Sequence, residues 1–220
     1  MTAASGGAQT AGRPTRLPRS ARRKQLLAAA QEIFVAQGYH AAAMDEIAER
    51  AGVSKPVLYQ HFPGKLELYL ALLDTHCDAI IAKVRGAMLA TPDNKERVKG
   101  AVRAYFDFMD HESEAFRLVF ESDLRNDPQV RERAERVEQG CIAAITDTVV
   151  KDTGLTLPKA QLLAAGLVGV SGQAAQYWLA TGRRVDKDEA EALVAALVWR
   201  GIASFPLQGE SSAGTTAEIG

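Results

Sequence analysis

Eight residues in a span of twelve have the side chains needed to read and hold double-stranded DNA: Ser54, Lys55, Pro56, Val57, Tyr59, Gln60, His61 and Lys65. A lysine donor such as Lys55 matches the O6 and N7 acceptors of guanine in the major groove. Pro56 and Val57 offer only apolar surface, for which a thymine methyl is the natural partner. Tyr59 and His61, at the end of the same short segment, suit phosphate oxygens. Gln60 reaches a base or a phosphate. Lys65 follows the Pro63-Gly64 turn and brings a cation to the DNA backbone. Such sets divide the work: phosphate contacts position, base contacts specify.

These residues need a frame, and the flanking sequence supplies one. Gly52 ends a short helix, because a residue without Cβ takes the left-handed conformation of such a stop. Val53 points inward across the turn. Ser54 is placed to cap the next helix with its hydroxyl, and Pro56 sits in that helix's first turn, where a missing N–H costs nothing. Leu58 and Phe62, four apart, face the core. Upstream, Met44 to Arg50 forms a short helix with Ile47, Ala48 and Ala51 on its packing side. Before it, Ser20 to Gln37 repeats Leu26, Leu27, Ala30, Ile33 and Phe34 at helical spacing, with Ser20 as the expected cap and Gly38 as the stop. The result is a three-helix unit holding a helix-turn-helix, the geometry that enters a major groove. Asp45, Glu46 and Glu49 make the middle helix acidic, so its exposed face is not expected on phosphates.

Residues 19–65 closely resemble the DNA-binding domain of TetR-family transcriptional regulators. The matching run is Gly38-Tyr39, Ile47-Ala48, Ala51-Gly52-Val53-Ser54, Leu58-Tyr59, His61-Phe62 and Lys65. The resemblance implies the DNA contacts assigned above, a variable C-terminal domain that binds a ligand and dimerises, and release from DNA when the ligand binds. One departure stands out. Members of the family usually carry Thr or Ser where this chain has Ala42 and Ala43. The second helix therefore lacks a hydroxyl cap, worth ~1 kcal/mol, and one phosphate contact. Its start is expected to be loose or capped by other means, with Glu46 as the surviving half of a capping box.

Charge is distributed to match. Residues 1–65 hold nine Lys and Arg against four Asp and Glu, and residues 66–220 hold 17 against 23, leaving a net charge of −1. A basic head on an acidic body fits a DNA-binding module joined to a second function. Residues 1–18 lack apolar periodicity and read as a disordered basic arm; with Arg13, Arg16, Arg19, Arg22, Arg23 and Lys24 this region is a candidate for further DNA contacts. Residues 208–220 read as a disordered tail. No signal peptide precedes the head, so a cytoplasmic location is expected, with Cys77 and Cys141 as reduced, buried thiols.

Residues 66–207 read as an effector-binding and dimerisation domain, helical throughout. Helices are expected over 65–90, 93–111, 112–124, 128–152, 157–181 and 186–204. The fold class is thus all-α: an N-terminal three-helix helix-turn-helix domain plus a C-terminal helical domain, about nine helices in all. The charged run 131–138 reads as a solvated face with a Glu132–Arg136 pair. Residues 160–182 carry no charge, yet their glutamines and glycines argue against a membrane span. Gly166, Gly169, Gly172 and Ala175 recur at every third position there. With Leu193, Val194, Leu197, Val198 and Ile202 they suit a homodimer interface through residues of 157–181 and 186–204.

Aromatic surface concentrated in neighbouring helices suggests a pocket for a small apolar effector. Its candidate lining is Tyr105, Phe106, Phe108, Met109, Phe116, Phe120, Tyr177 and Trp178, with Gln173 and Gln176 to orient the ligand. The four histidines are scattered and no phosphate loop or nucleophile motif occurs, so neither an enzyme nor a cofactor is expected. The function that follows is a sequence-specific DNA-binding regulator, expected as a repressor released from a palindromic operator by an apolar effector. The alternative is a DNA-binding regulator acting through a protein partner without a ligand; it requires an exposed apolar patch and no cavity.

Overall fold

The computed structural model describes residues 17–111, 124 and 126–202. Eight helices lie among them: α1 (Arg19–Ala41), α2 (Met44–Arg50), α3 (Lys55–His61), α4 (Lys65–Leu89), α5 (Asn94–His111), α6 (Pro128–Thr153), α7 (Leu157–Ala180) and α8 (Lys187–Ile202). The further helix expected over 112–124 falls outside the described residues apart from Leu124, as do almost all of the basic arm and the C-terminal tail.

Local chemistry sets the helix ends. Asp127 caps α6, its Oδ1 accepting from the N–H groups of Gln129 (2.8 Å) and Val130 (3.3 Å), and Pro128 fills the first turn. Gly154 ends α6 at φ 67°, where a side chain would be strained. Two cap expectations are corrected. Helix α1 starts at Arg19, with Pro18 at the cap position and its carbonyl accepting from Arg22 N–H at 2.9 Å; Ser20 lies within the first turn. Gly38 does interrupt α1, at φ 79° and ψ 167°, but the chain resumes a helical turn through Ala41.

Helices α1, α2 and α3 enclose Leu26, Ala30, Phe34, Ile47, Leu58 and Phe62, all buried. Each of the leucine, isoleucine and phenylalanine side chains among them contributes roughly 1.5–3 kcal/mol when removed from water. The head rests on the body mainly through α1 against α4. Phe34 of α1 meets Tyr69 of α4 edge-on at 5.1 Å between ring centres, and Tyr39 lies 5.1 Å from the same ring.

The body packs α4 on α5 and α6, α6 on α7, and α5 on α7 and α8. Charged residues of α6 do more than face water. Arg133 and Arg136 both reach Asp74 of α4, at 3.0 and 3.2 Å, and Arg136 also pairs with Asp78 at 3.1 Å. Arg136 is thus committed between helices rather than to Glu132, and the pair along the helix is Arg131 with Glu135 at 3.8 Å. Cys77 and Cys141 are buried free thiols, Cys77 Sγ donating to Arg133 O at 3.7 Å, and burial pushes the Cys77 thiol up to about 11. Among the described residues no helix is long and apolar enough to cross a membrane.

Candidate nucleic-acid interface and effector cavity

The turn between α2 and α3 is closed by backbone bonds. Gly52, at φ 63°, donates to Glu49 O at 2.9 Å, and Val53 donates to Ala48 O at 3.0 Å. From α1, Gln25 Nε2 donates to Ala51 O at 2.8 Å and pins the turn to the first helix. Ser54 stands at the cap position of α3 with extended backbone, but its hydroxyl makes no cap bond. The reason is the neighbouring sequence. Pro56 has no N–H to offer, and the N–H of Val57 is already taken by the carbonyl of Ser54 at 3.0 Å. At α2, Ala43 likewise provides no side-chain acceptor. Glu46 Oε2 accepts from the Ala43 N–H at 3.4 Å, half of a capping box.

This frame puts Ser54, Lys55, Pro56, Tyr59 and Gln60 on the exposed side of α3, while Val57 and His61 are half-buried. The Lys55 ammonium is ion-paired with Asp45 of α2. Lys65 is turned back into the head. Its ammonium donates to His40 O at 3.0 Å and Ala42 O at 2.9 Å, and lies 4.7 Å from the centre of the Tyr39 ring. It ties the end of α1 to the start of α4, with at most one donor left for DNA.

Three arginines join the set from α1. The guanidinium of Arg23 lies 4.4 Å over the Phe62 ring. His61 is held below the ordinary imidazole range by burial first, and then by the positive charges of Arg19, Arg23 and Arg22. Those cations therefore stand at the C-terminal end of α3 and extend the basic surface beyond it. In the sequence they show only as a charge cluster; the placement of α1 puts them beside His61.

A second feature lies in the body. A cavity of about 220 Å³ opens between α5, α6, α7 and α8, with Met88 from the end of α4. Val98, Ala101, Val102, Tyr105, Ile145, Val149, Leu167, Val198 and Trp199 give it apolar walls. Its polar groups gather where the start of α5 meets the end of α6. There Arg97 pairs with Asp152 at 2.6 Å and donates to Asn94 Oδ1 at 2.7 Å and Thr91 O at 2.6 Å. Trp199 also walls an outer groove of about 400 Å³ lined by Lys95, Lys99 and Arg103 of α5 and by Arg200, Asp188 and Glu191 of α8, with Arg103 paired to Glu191 at 3.1 Å.

Of the described residues expected to line a pocket, the structure brings only Tyr105 to this cavity. Phe106, Phe108 and Met109 are buried in the core, and Trp178 packs on Phe106 at 5.4 Å and donates to Val185 O at 2.8 Å. Gln173 and Tyr177 are exposed on the outer side of α7, and Gln176 is half-buried. Phe116 and Phe120 lie outside the described residues. Arg97, Asn94 and Asp152 escaped the sequence reading because nothing local links two residues 55 positions apart. The Tyr105 hydroxyl is buried, and burial raises it far above its ordinary range.

On the outside of α7 and α8, Leu162, Val170, Tyr177, Leu193 and Leu197 are exposed. A Cβ added at Gly166 or Gly169 would meet nothing within 4 Å, whereas one at Gly172 would touch the Tyr105 ring at 3.6 Å. Among the described residues, the glycines at 166 and 169 thus serve no close packing. Among the described residues no cluster of His, Cys, Asp or Glu is arranged to hold a metal ion.

Comparison with known proteins gives a consistent result. The sequence family described as bacterial regulatory proteins, tetR family, matches residues 26–72. The HTH-type transcriptional activator FasR of Mycolicibacterium smegmatis is 49% identical over 195 residues, covering 89% of each chain. A TetR-like transcriptional regulator from Rhodococcus sp. RHA1 superposes with a TM-score of 0.64 at 26% identity, covering 86% of this chain and all of that one. FadR from Bacillus subtilis, solved in complex with stearoyl-CoA, superposes with a TM-score of 0.63 at 18% identity, covering 81% of this chain and 98% of that one. At that identity the likeness to FadR is one of fold.

Proposed function

Because this chain belongs to the TetR family of DNA-binding transcriptional regulators, we propose that it works as a homodimer on a palindromic operator and is controlled by an apolar or amphiphilic effector. The observation that carries the effector is the cavity between α5, α6, α7 and α8, which also speaks against control by a protein partner alone. At about 220 Å³ it is smaller than most ligand sites, which run roughly 300–1,000 Å³. A chain-like occupant must part the helices to enter. Met88 lines the cavity at one end of α4, and Lys65 and Tyr69 hold the head at the other. Widening the cavity would therefore shift α4 and change the spacing of two heads that must meet half-sites ~34–36 Å apart.

The adjoining groove carries four cations, Lys95, Lys99, Arg103 and Arg200, against the carboxylates of Asp188 and Glu191. With Arg103 paired to Glu191 and Lys99 to Glu96, it is Lys95 and Arg200 that support an effector with an anionic head. The stearoyl-CoA bound by FadR is of that kind, and an acyl thioester is the effector class proposed here. The exposed apolar stripe on α7 and α8 supports the dimer. Lys55, Pro56 and Val57 are assigned to bases, Tyr59 and His61 with Arg19, Arg22 and Arg23 to phosphates, and Gln60 to either. Ser54 and Lys65 have positioning roles, with one phosphate contact open to Lys65. The sign of regulation follows from where the operator lies relative to the promoter. The resemblance alone suggested a repressor; the name of the mycobacterial relative, an activator, favours activation, and that sign is adopted here.

The test is selection of sheared genomic DNA by the purified protein at ~150 mM salt, which suppresses purely electrostatic binding. It is run with and without stearoyl-CoA. Enrichment of a palindrome that is lost or altered with the acyl thioester is expected. Enrichment indifferent to it would overturn the effector class, and no enrichment would overturn the operator.

A further inference from the structure

Among residues 54–61, Lys55 is the one full cation in the sequence, since His61 is held below its ordinary range. Its ammonium donates to Asp45 Oδ2, on the second residue of α2. The two side chains are 60% and 58% exposed. A pair so open to water adds little to folding, because solvent screens it and two flexible side chains must be ordered. The head is held instead by its core and by the Gln25 and Lys65 bonds. What the pair does control is the direction and charge of the lysine that leads the recognition helix.

We propose that Asp45 is a specificity-determining residue, a positioning group that acts through Lys55 to favour guanine over phosphate. The inference rests on the reading of Lys55 as the base donor. An ammonium has three donors and no fixed fork. Left alone, it satisfies itself on the nearest phosphate oxygens and carries no sequence information. With one donor held by Asp45, two remain, matching the paired acceptors of guanine. The carboxylate also travels to the DNA surface, where phosphates repel it. At a correct base Lys55 stays between carboxylate and guanine, and the negative charge remains paired. At a wrong base Lys55 either stays unsatisfied or swings to a phosphate and strands Asp45 in the field of the backbone. Both penalties fall only on wrong sequences, which is how discrimination is built by repulsion. Of the other three charges of α2, Glu46 accepts from Ala43 N–H and Arg50 pairs with Glu32.

The test uses the full chain carrying Asp45→Asn, which keeps the shape and removes the charge. The operator selected by the wild-type protein and a random duplex are titrated over a range of salt. Asp45→Asn should bind random DNA about tenfold tighter and the operator less than about threefold tighter, so that the specificity ratio falls. On random DNA the salt slope should steepen by about one, as Lys55 takes up a phosphate. In a Lys55→Ala background the same substitution should leave the ratio unchanged. Equal changes on both DNAs, or none on either, would overturn the proposal while leaving the operator reading intact. A wild-type protein that enriches no sequence would overturn both together.

Discussion

Lys55 and His61 of α3 have distinct electrostatic settings, and the settings predict different behaviour. Lys55→Ala should relax preference at one position of each half-site and cost ~1–3 kcal/mol there. Binding titrations against single-base operator variants check this; an even loss over all variants would remove the base assignment. His61 behaves differently. In the free protein burial and then Arg19, Arg23 and Arg22 hold it neutral to lower pH than usual. A phosphate beside it in the complex favours the imidazolium and raises its pKa. Binding then takes up a proton. Affinity should rise as pH falls through the pKa of the complex and level off below that of the free protein. His61→Ala should remove that rise. Titrations from pH 8 to roughly 5.5, spanning the ordinary imidazole value, measure it; parallel profiles for the two proteins would place His61 away from phosphate.

At the scale of the element, the caps decide how firmly the head is held. Ala43 has the extended backbone of a cap residue, at φ −107° and ψ 140°, but no hydroxyl. Ala43→Ser should complete the box begun by Glu46 and stabilise the protein by ~1 kcal/mol, read from urea unfolding. Lys65 makes the opposite case. Removing it in Lys65→Ala leaves the carbonyls of His40 and Ala42 without their donor and should cost about 1 kcal/mol of stability. DNA affinity should fall alike for all sequences, because what loosens is the join between α1 and α4. A selective loss at particular bases would contradict this.

The whole molecule adds what no single element contains. Its helix-turn-helix lies in the head, its cavity lies among the body helices, and α4 runs between them. In the proposed dimer, a second copy of the same surface covers the outer apolar stripe on α7 and α8 by two-fold symmetry. Leu193→Asp or Leu197→Asp, both at exposed positions, should leave the protomer folded but monomeric. Sedimentation velocity reports the mass and circular dichroism the fold. Operator affinity should drop by several orders of magnitude, as two heads no longer bind as one unit. A folded dimer with unchanged affinity would move the interface elsewhere.

The head was legible in the sequence because its signals are local. Gly52 takes a positive φ for want of a Cβ, Pro56 sits where a helix tolerates it, and Leu58 and Phe62 face inward by helical spacing. The long helices of the body were legible for the same reason, with their boundaries close to where periodicity placed them. Side-chain partnerships across elements were not. Lys65 turning back on His40 and Ala42, Lys55 meeting Asp45, and Arg97 meeting Asp152 join residues 10 to 55 positions apart. Which aromatic residues line the cavity and which fill the core was also beyond reach. Tyr105 and Phe106 are adjacent in sequence, yet one lines the cavity and the other is buried against Trp178. Periodicity determines which face of a helix is apolar; only the packing of the other helices decides whether that face meets a neighbour, an empty volume or the surface.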